Sequence, residues 1–239
     1  MTEYALYLES GPKRRKTMVH VPELLGCVAT GPTTDETLAA TPDAIRAYLR
    51  FLQRHGEPLD SEASFTTRIA EHVTKGDWLG NGSPYLVFAT DLEPIEQPEL
   101  ETHLRRFDAI REALAAWAEA QGDAQLEATP DVKGRTARAI LLHVLGATGA
   151  YVAAAVGNTS GFSRIHTLAE RGEMALPEAL RRTGSMVKQR FLETTPEERS
   201  AVIEKSTTIR TLRKALRRTL EHDWEHLVEL ARRPGGPAL

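Results

Sequence analysis

Two histidines near the end of the sequence are the residues best placed to do chemistry. His222 and His226 lie four apart in residues 220–227 (LEHDWEHL). They continue an apolar stripe, with steps of three and four from Leu212 to Leu230, that predicts one face of a helix. Side chains four apart on a helix are neighbours, about 5–6 Å apart at Cβ. Both imidazoles can therefore reach one ion or one substrate.

The histidine pair has two other interpretations. An HxxxH pattern taken alone is more often a buried, hydrogen-bonded pair. On an apolar face, however, an unpaired polar group is costly, and a metal ion would satisfy both imidazoles. In the zinc-protease motif HExxH, a general-base Glu follows the first histidine. Here that residue is Asp223, one methylene shorter, so the match is imperfect.

Composition and charge indicate a soluble protein with an ordinary core. The 239 residues are 41% hydrophobic and 26% charged, which suits one large or two modest domains. A formal charge of −3 gives no electrostatic reason to bind nucleic acid or a membrane. The single cysteine, Cys27, excludes an intrachain disulfide and fits a reducing cytosol. No secretory signal follows Met1, and apolar runs fall short of the roughly 20 residues that span a bilayer, so we expect a cytoplasmic protein.

The first 60 residues predict a small sheet followed by a helix. A basic hairpin turn joins the first two of three short strands, which we expect at residues 4–8, 17–21 and 27–30. A helix with an acidic first turn is predicted from Thr33 or Thr34 to about His55.

This region resembles the HicB antitoxin family. Residues 21–31 (VPELLGCVATG) are similar to its VPDLPGC-like turn and A-x-G strand end, and residues 34–38 (TDETL) to its helix start. The resemblance covers about residues 3–60 and implies a β-β-β-α core related to a degenerate RNase H-like or dsRNA-binding-like module. In that family the module masks a small toxin RNase and precedes a DNA-binding segment, which is not evident here. A scaffold or dimerisation element is the alternative role.

The region after residue 60 is predicted to lead into a linker. A short helix is expected at Phe65–Val73, a loop at residues 76–84 and a strand at residues 85–89. The acidic segment at residues 91–98, interrupted by prolines, is typical of an exposed linker. It divides the chain into an α+β domain, residues 1–95, and a second domain, residues 98–239.

The second domain has helical periodicity throughout. Four amphipathic helices predict a four-helix bundle. A connection at residues 129–134 and a looser region at residues 157–172 separate them, and we place the helices at residues 99–122, from about 136, from 177, and at roughly 208–232.

The bundle resembles the DinB/YfiT-like metalloenzyme superfamily. His143 lies in the apolar stripe of the second helix, and residues 134–144 (GRTARAILLHV) are similar to the superfamily's second-helix signature. Residues 220–230 (LEHDWEHLVEL) are similar to its final one. The resemblance covers about 140 residues and implies that His143, His222 and His226 bind a metal ion.

Three imidazoles suit Zn²⁺ or Ni²⁺ and leave open positions for water or substrate. Such an ion lowers the pKa of a bound water or thiol. Because the superfamily includes thiol S-transferases, the leading hypothesis is a metal-dependent transferase or hydrolase acting on a small molecule, a thiol among the candidates. Asp223 and Glu225 flank the ligands and could orient them, although we expect Glu225 to face solvent.

A second hypothesis is a non-catalytic interaction module. In it the HicB-like half binds a partner protein or RNA, and the bundle is a scaffold. A homodimer is among the assemblies considered. Cys27 is predicted to be a small core residue rather than a nucleophile, and no catalytic residue is assigned.

Overall fold

The computed structural model describes residues 1–130, 134–205 and 208–239. A small N-terminal sheet is followed by a helical region, which confirms the α+β class. Residues 131–133 of the predicted connection lie outside the described residues.

Four strands form the N-terminal sheet in the order β3-β2-β1-β4. They are β1 (Thr2–Ser10), β2 (Arg15–His20), β3 (Val28–Thr33) and β4 (Phe65–Val73). Strand β2 is antiparallel to both β1 and β3, whereas β4 is parallel to β1. Helix α1 (Thr34–Arg54) starts where Thr33 accepts a hydrogen bond from the backbone N–H of Glu36. The predicted β-β-β-α order is thus followed by a fourth strand.

The predictions for two segments of the N-terminal half are wrong. Phe65–Val73 is strand β4 and not a helix. Its β-branched and aromatic residues favour extended backbone. However, the strand lies at the edge of the sheet and Ile69 is 52% exposed, so the alternation of apolar and polar residues that marks a half-buried strand is weak. Residues 85–89 are not a strand. They are apolar because Phe88 is buried against the rings of Tyr7 and His20.

In the described residues, the helical region contains four long helices, two short ones and a two-stranded antiparallel sheet. In chain order the elements are α2 (Gln97–Glu127), α3 (Ala137–Val156), α4 (Phe162–Glu170), α5 (Leu176–Leu192), α6 (Pro196–Ser200), β5 (Ile203–Lys205), β6 (Thr208–Arg210) and α7 (Leu212–Ala231). Helix α4 lies in the region predicted to be loose. The last helix begins later than predicted, because Thr208–Arg210 pairs with β5 and Thr211 caps α7 by accepting from the N–H of Lys214.

Helix α7 is the central element of the structure. It packs against α2 and α3, while α2 and α3 both pack against α5. On its other side, Trp224 contacts the rings of Tyr48 and Phe51 from α1. Among the described residues, α3 is the one helix long and apolar enough to cross a membrane by length and composition, and in this structure it packs against α2, α5 and α7. Buried apolar residues of the sheet, α1, α2 and α7 belong to one hydrophobic core cluster.

The predicted linker at residues 91–98 is exposed at most positions but is anchored to the core at two of them, Asp91 and Ile95. Asp91 is fully buried, and its carboxylate accepts two hydrogen bonds from Arg217 of α7, at 2.7 and 2.8 Å. Thr211 donates to the carbonyl of Asp91 at 2.6 Å, and Ile95 is buried. The acidic residue was misread because its partner lies 126 residues away. The division into domains 1–95 and 98–239 stays a prediction.

Candidate metal centre

The structure brings the three predicted histidines together. Helix α7 presents His222 and His226 on one face, and α3 presents His143 opposite them. The Nε2 atom of His222 lies 3.1 Å from that of His143 and 3.2 Å from that of His226. One ring nitrogen from each residue falls within 4.8 Å of the others. Convergence on one point is what a shared ligand requires.

The nitrogen–nitrogen distances fit a metal coordination shell. With metal–nitrogen bonds of about 2.0–2.1 Å, two nitrogens are about 3.3 Å apart at a tetrahedral angle and about 2.9 Å apart at a right angle. The separations of 3.1 and 3.2 Å lie between these values. Three ligands on one side leave the remaining positions open, as in catalytic zinc sites.

The centre has one buried and one open side. His222 and His226 are each 6% exposed, whereas His143 is exposed. The ring of Tyr151, two turns after His143 on α3, lies 5.8 Å from the ring of His222. A small molecule could therefore approach from the α3 side.

Glu229 sets the orientation of His226. Its Oε2 lies 2.7 Å from Nδ1 of His226, so Nδ1 donates the hydrogen bond and Nε2 keeps its lone pair for an ion. Arg135 donates to the same carboxylate at 3.1 Å. Glu229 is absent from the sequence-based assignment, although its position three residues after His226 places it on the same helix face.

Burial keeps the imidazoles in the form that a metal binds. Desolvation lowers the pKa of His222 to about 4, with His226 as a further cause. Burial also lowers the pKa of His143, and His226 and Arg135 add to the shift. Both rings are therefore neutral at neutral pH, as ligation requires.

Asp223 holds α7 against α2 and α3 and makes no hydrogen bond to His222. Its carboxylate accepts a hydrogen bond from Nε of Arg111 on α2 at 2.6 Å and lies 3.3 Å from the hydroxyl of Thr148 on α3. The distance from its Oδ1 to Nδ1 of His222 is 4.0 Å, too long for a hydrogen bond. A carboxylate engaged in this way does not favour the general-base role of an HExxH site. Glu225 is half-buried and lines a different surface depression.

Glu221, on the other side of α7, is part of a buried charge network. Its Oε1 accepts a hydrogen bond from Nδ1 of His20 at 2.8 Å, and its Oε2 accepts from Arg217 at 3.0 Å and Arg218 at 2.9 Å. Nε2 of His20 lies 3.4 Å from the carboxylate of Glu9. The network fixes the N-terminal sheet to the residue that precedes His222.

The network favours the ionised forms of its members. Burial alone would raise the pKa of Glu221, but Arg217 and His20 outweigh this effect and lower the pKa to about 2. For His20, burial lowers the pKa, yet Glu221 and Glu9 raise it to a value above the ordinary one. By contrast, Cys27 is buried and burial raises the pKa of its thiol, as expected for a core residue and not for a nucleophile.

Comparison with known proteins adds no assignment. No family model, curated protein or solved structure matches the chain. The resemblances to HicB-like and DinB-like proteins therefore stay predictions, and the candidate centre rests on the geometry of its own residues.

Proposed function

We propose that this chain binds one divalent metal ion through His143, His222 and His226 and acts on a small molecule at that centre. The observation that carries the proposal is the convergence of three imidazole nitrogens at metal-like separations. Zn²⁺ and Ni²⁺ are the ions best suited to such a donor set. Transfer of a thiol group, or hydrolysis, is the proposed reaction type, in keeping with the DinB-like resemblance.

The chain supplies position and access. The bound ion would supply Lewis acidity, which lowers the pKa of a coordinated thiol or water toward neutral values. Helix α7 holds two ligands rigidly, and Glu229 fixes the tautomer of one. The exposed side of His143 leaves a path for the reactant. A cytoplasmic location would keep a thiol substrate reduced.

Metal content is the direct test. Protein purified without a polyhistidine tag should contain about one Zn or Ni per chain by elemental analysis, and His222→Ala should lose it because two ligands are too few for tight binding. The matched control is His166→Ala, on α4 and outside the centre, which should keep its metal. Full occupancy in His222→Ala would refute the assignment.

The role of Glu229 gives an independent test. Glu229→Gln should weaken metal affinity by about 10–100-fold, the usual effect of removing a carboxylate that orients a histidine ligand. Glu225→Gln makes the same chemical change on the same helix, and no hydrogen bond from Glu225 to a histidine occurs in the described chain, so its affinity should not change. Equal affinities in both variants would show that Glu229 does not act on the metal.

The interaction-module alternative has its own support. The N-terminal half exposes several large apolar side chains, among them Ile69, Trp78 and Tyr85. Exposed aromatic residues are enriched at protein interfaces. If the purified protein carries no metal and takes none up, this alternative becomes the better explanation.

A further inference from the structure

A cleft lies beside the metal centre, between α3, α7 and β6. Its volume is about 230 Å³, below the usual range of about 300–1,000 Å³ for ligand pockets, which limits it to a small molecule. Tyr151 lines it, and the ring of the same tyrosine is 5.8 Å from that of His222. Tyr151 therefore lies between the cleft and the centre and makes them neighbours.

One wall of the cleft is apolar and the other is cationic. Ala150, Ala154 and Ala155 of α3 form the apolar wall. Lys214 and Arg218 of α7 lie on the other wall, with Arg210 of β6 nearby. None of the described residues that line the cleft has a carboxylate side chain.

Lys214 has unused hydrogen-bonding capacity. Its side chain is 7% exposed, and Nζ donates to the carbonyls of Pro84 at 2.8 Å and Ile209 at 3.0 Å. An ammonium group has three donors, so one remains. Among the described residues no carboxylate lies within ion-pair distance of Lys214. Burial and then Arg217 lower its pKa to about 8, which an anion in contact would reverse.

Arg218 also has a donor without a partner. It is 2% exposed, with Nη1 on Glu221 at 2.9 Å and Nη2 on the hydroxyl of Tyr151 at 3.5 Å. Its Nε is buried and meets no acceptor among the described residues. A buried donor left unpaired is destabilising, so an acceptor from a ligand would stabilise it.

The charge of the cleft is positive. Glu221 offsets the charge of Arg218 within the buried network, but no carboxylate of the described chain pairs with Lys214 or Arg210. Two free donors beside an apolar wall match a single carboxylate on an apolar body. A phosphate dianion would require more donors than these.

The spacing along α7 gives the length of the ligand. Lys214, Arg218 and His222 succeed one another at intervals of four on the same helix face. With a rise of 1.5 Å per residue, Lys214 and His222 are about 12 Å apart along the axis. A chain of roughly eight carbon atoms covers most of that distance.

We propose that this cleft binds the carboxylate end of an elongated, apolar acid and directs its other end to the three histidines. The substrate class is then a small apolar acid with a thiol, or with the group that the thiol attacks, opposite the carboxylate. The direction of the reactive end rests on the proposed metal function. The carboxylate site itself rests on Lys214 and Arg218.

The test uses three probes on the full-length chain. We would titrate 8-mercaptooctanoate and its uncharged analogue 8-mercaptooctanol into cobalt-loaded protein and follow the thiolate-to-cobalt charge-transfer band. A charge-assisted hydrogen bond of about 1.5–3 kcal/mol predicts about 10–100-fold tighter binding of the acid. The third probe, octanoate, is titrated into metal-free protein by calorimetry.

Two variants and a control identify the site. Lys214→Met keeps the side-chain length and should remove the advantage of the acid, whereas Lys75→Met, in an exposed loop, should not. Ala154→Leu fills the cleft and should weaken both thiol probes without a change of charge.

The outcomes separate the two proposals. Equal affinity of the two thiol probes for the cobalt protein would overturn the carboxylate site and leave the metal function standing. Octanoate binding that depends on Lys214, in protein that takes up no zinc, nickel or cobalt, would support the carboxylate site and overturn the metal function.

Discussion

Replacing Glu221 by Gln tests whether the buried charge network holds the metal-bearing helix on the sheet. The carboxylate is 1% exposed and accepts hydrogen bonds from His20, Arg217 and Arg218. Gln keeps the shape of the side chain but removes the negative charge. The three donors would then face a neutral amide in a site that water does not reach.

The expected loss of stability is about 3 kcal/mol. The pKa of Glu221 falls from 4.5 to about 2 in the folded protein, and each unit corresponds to about 1.4 kcal/mol. Because this folded-state pKa is depressed, the contribution is present above pH 4.5 and is lost as the pH falls toward 2. Removing one partner from a buried ion pair costs about 3–5 kcal/mol in other proteins, which agrees.

Urea unfolding at pH 7 measures the loss. Glu225→Gln is the matched control, since that residue is half-buried on the same helix and outside the network, and we expect a change of at most about 0.5 kcal/mol. Metal affinity should also fall in Glu221→Gln because the backbone of the adjacent His222 is then held less firmly in place. A loss below about 1 kcal/mol would show that the network does not stabilise the fold.

Three further outcomes follow from the structure. Removing the metal with a chelator should lower the melting temperature reversibly by roughly 5–15 °C, since an ion at a hundred to a thousand times its Kd contributes about 3–4 kcal/mol; an unchanged melting curve in metal-free protein would refute this. The folded-state pKa of His20 is raised, so the wild type should exceed His20→Gln in stability by its full margin below pH 6.5 and by less as the pH rises through that pKa. Denaturant unfolding of both proteins from pH 6 to 9 measures this margin, and a margin that grows with pH would show that His20 is not a buried cation. Limited digestion with a protease of broad specificity, such as proteinase K, should cut first in the exposed loop that carries Lys75 and Trp78 (71% exposed). A first cut within residues 91–98 would mean that the buried Asp91 anchor is absent in solution.

The signal of His222 and His226 is local and could be read from the sequence, whereas His143 entered the prediction only through the DinB-like resemblance. His222 and His226 share a helix face by their spacing alone, and His143 stands in the apolar stripe of its own helix. Glu229 was within reach of the same reasoning, as was Arg218, one turn before His222. That they converge within 4.8 Å depends on how α3 and α7 pack, which only the structure shows.

The expectations that failed depend on distant partners. Asp91 looks like a solvated linker residue until Arg217 is found beside it. Likewise Phe65–Val73 becomes a strand because the edge of β1 is available to pair with it. His20 lies in an ordinary strand pattern, yet it contacts Glu221, 201 residues later. Single-sequence patterns carry no information about such pairings.

Helix α7 is fixed in rotation as well as in position. Successive side chains on a helix point about 100° apart, so Glu221 reaches the sheet while Asp223 reaches α2 and α3. Sliding or turning α7 by one residue would break both buried ion pairs. His222 and His226 therefore have little freedom to adjust to an ion of different size, whereas His143 lies on the exposed side of α3. Discrimination between metal ions should accordingly change with substitutions around His143 and resist those on α7 that leave its buried ion pairs intact.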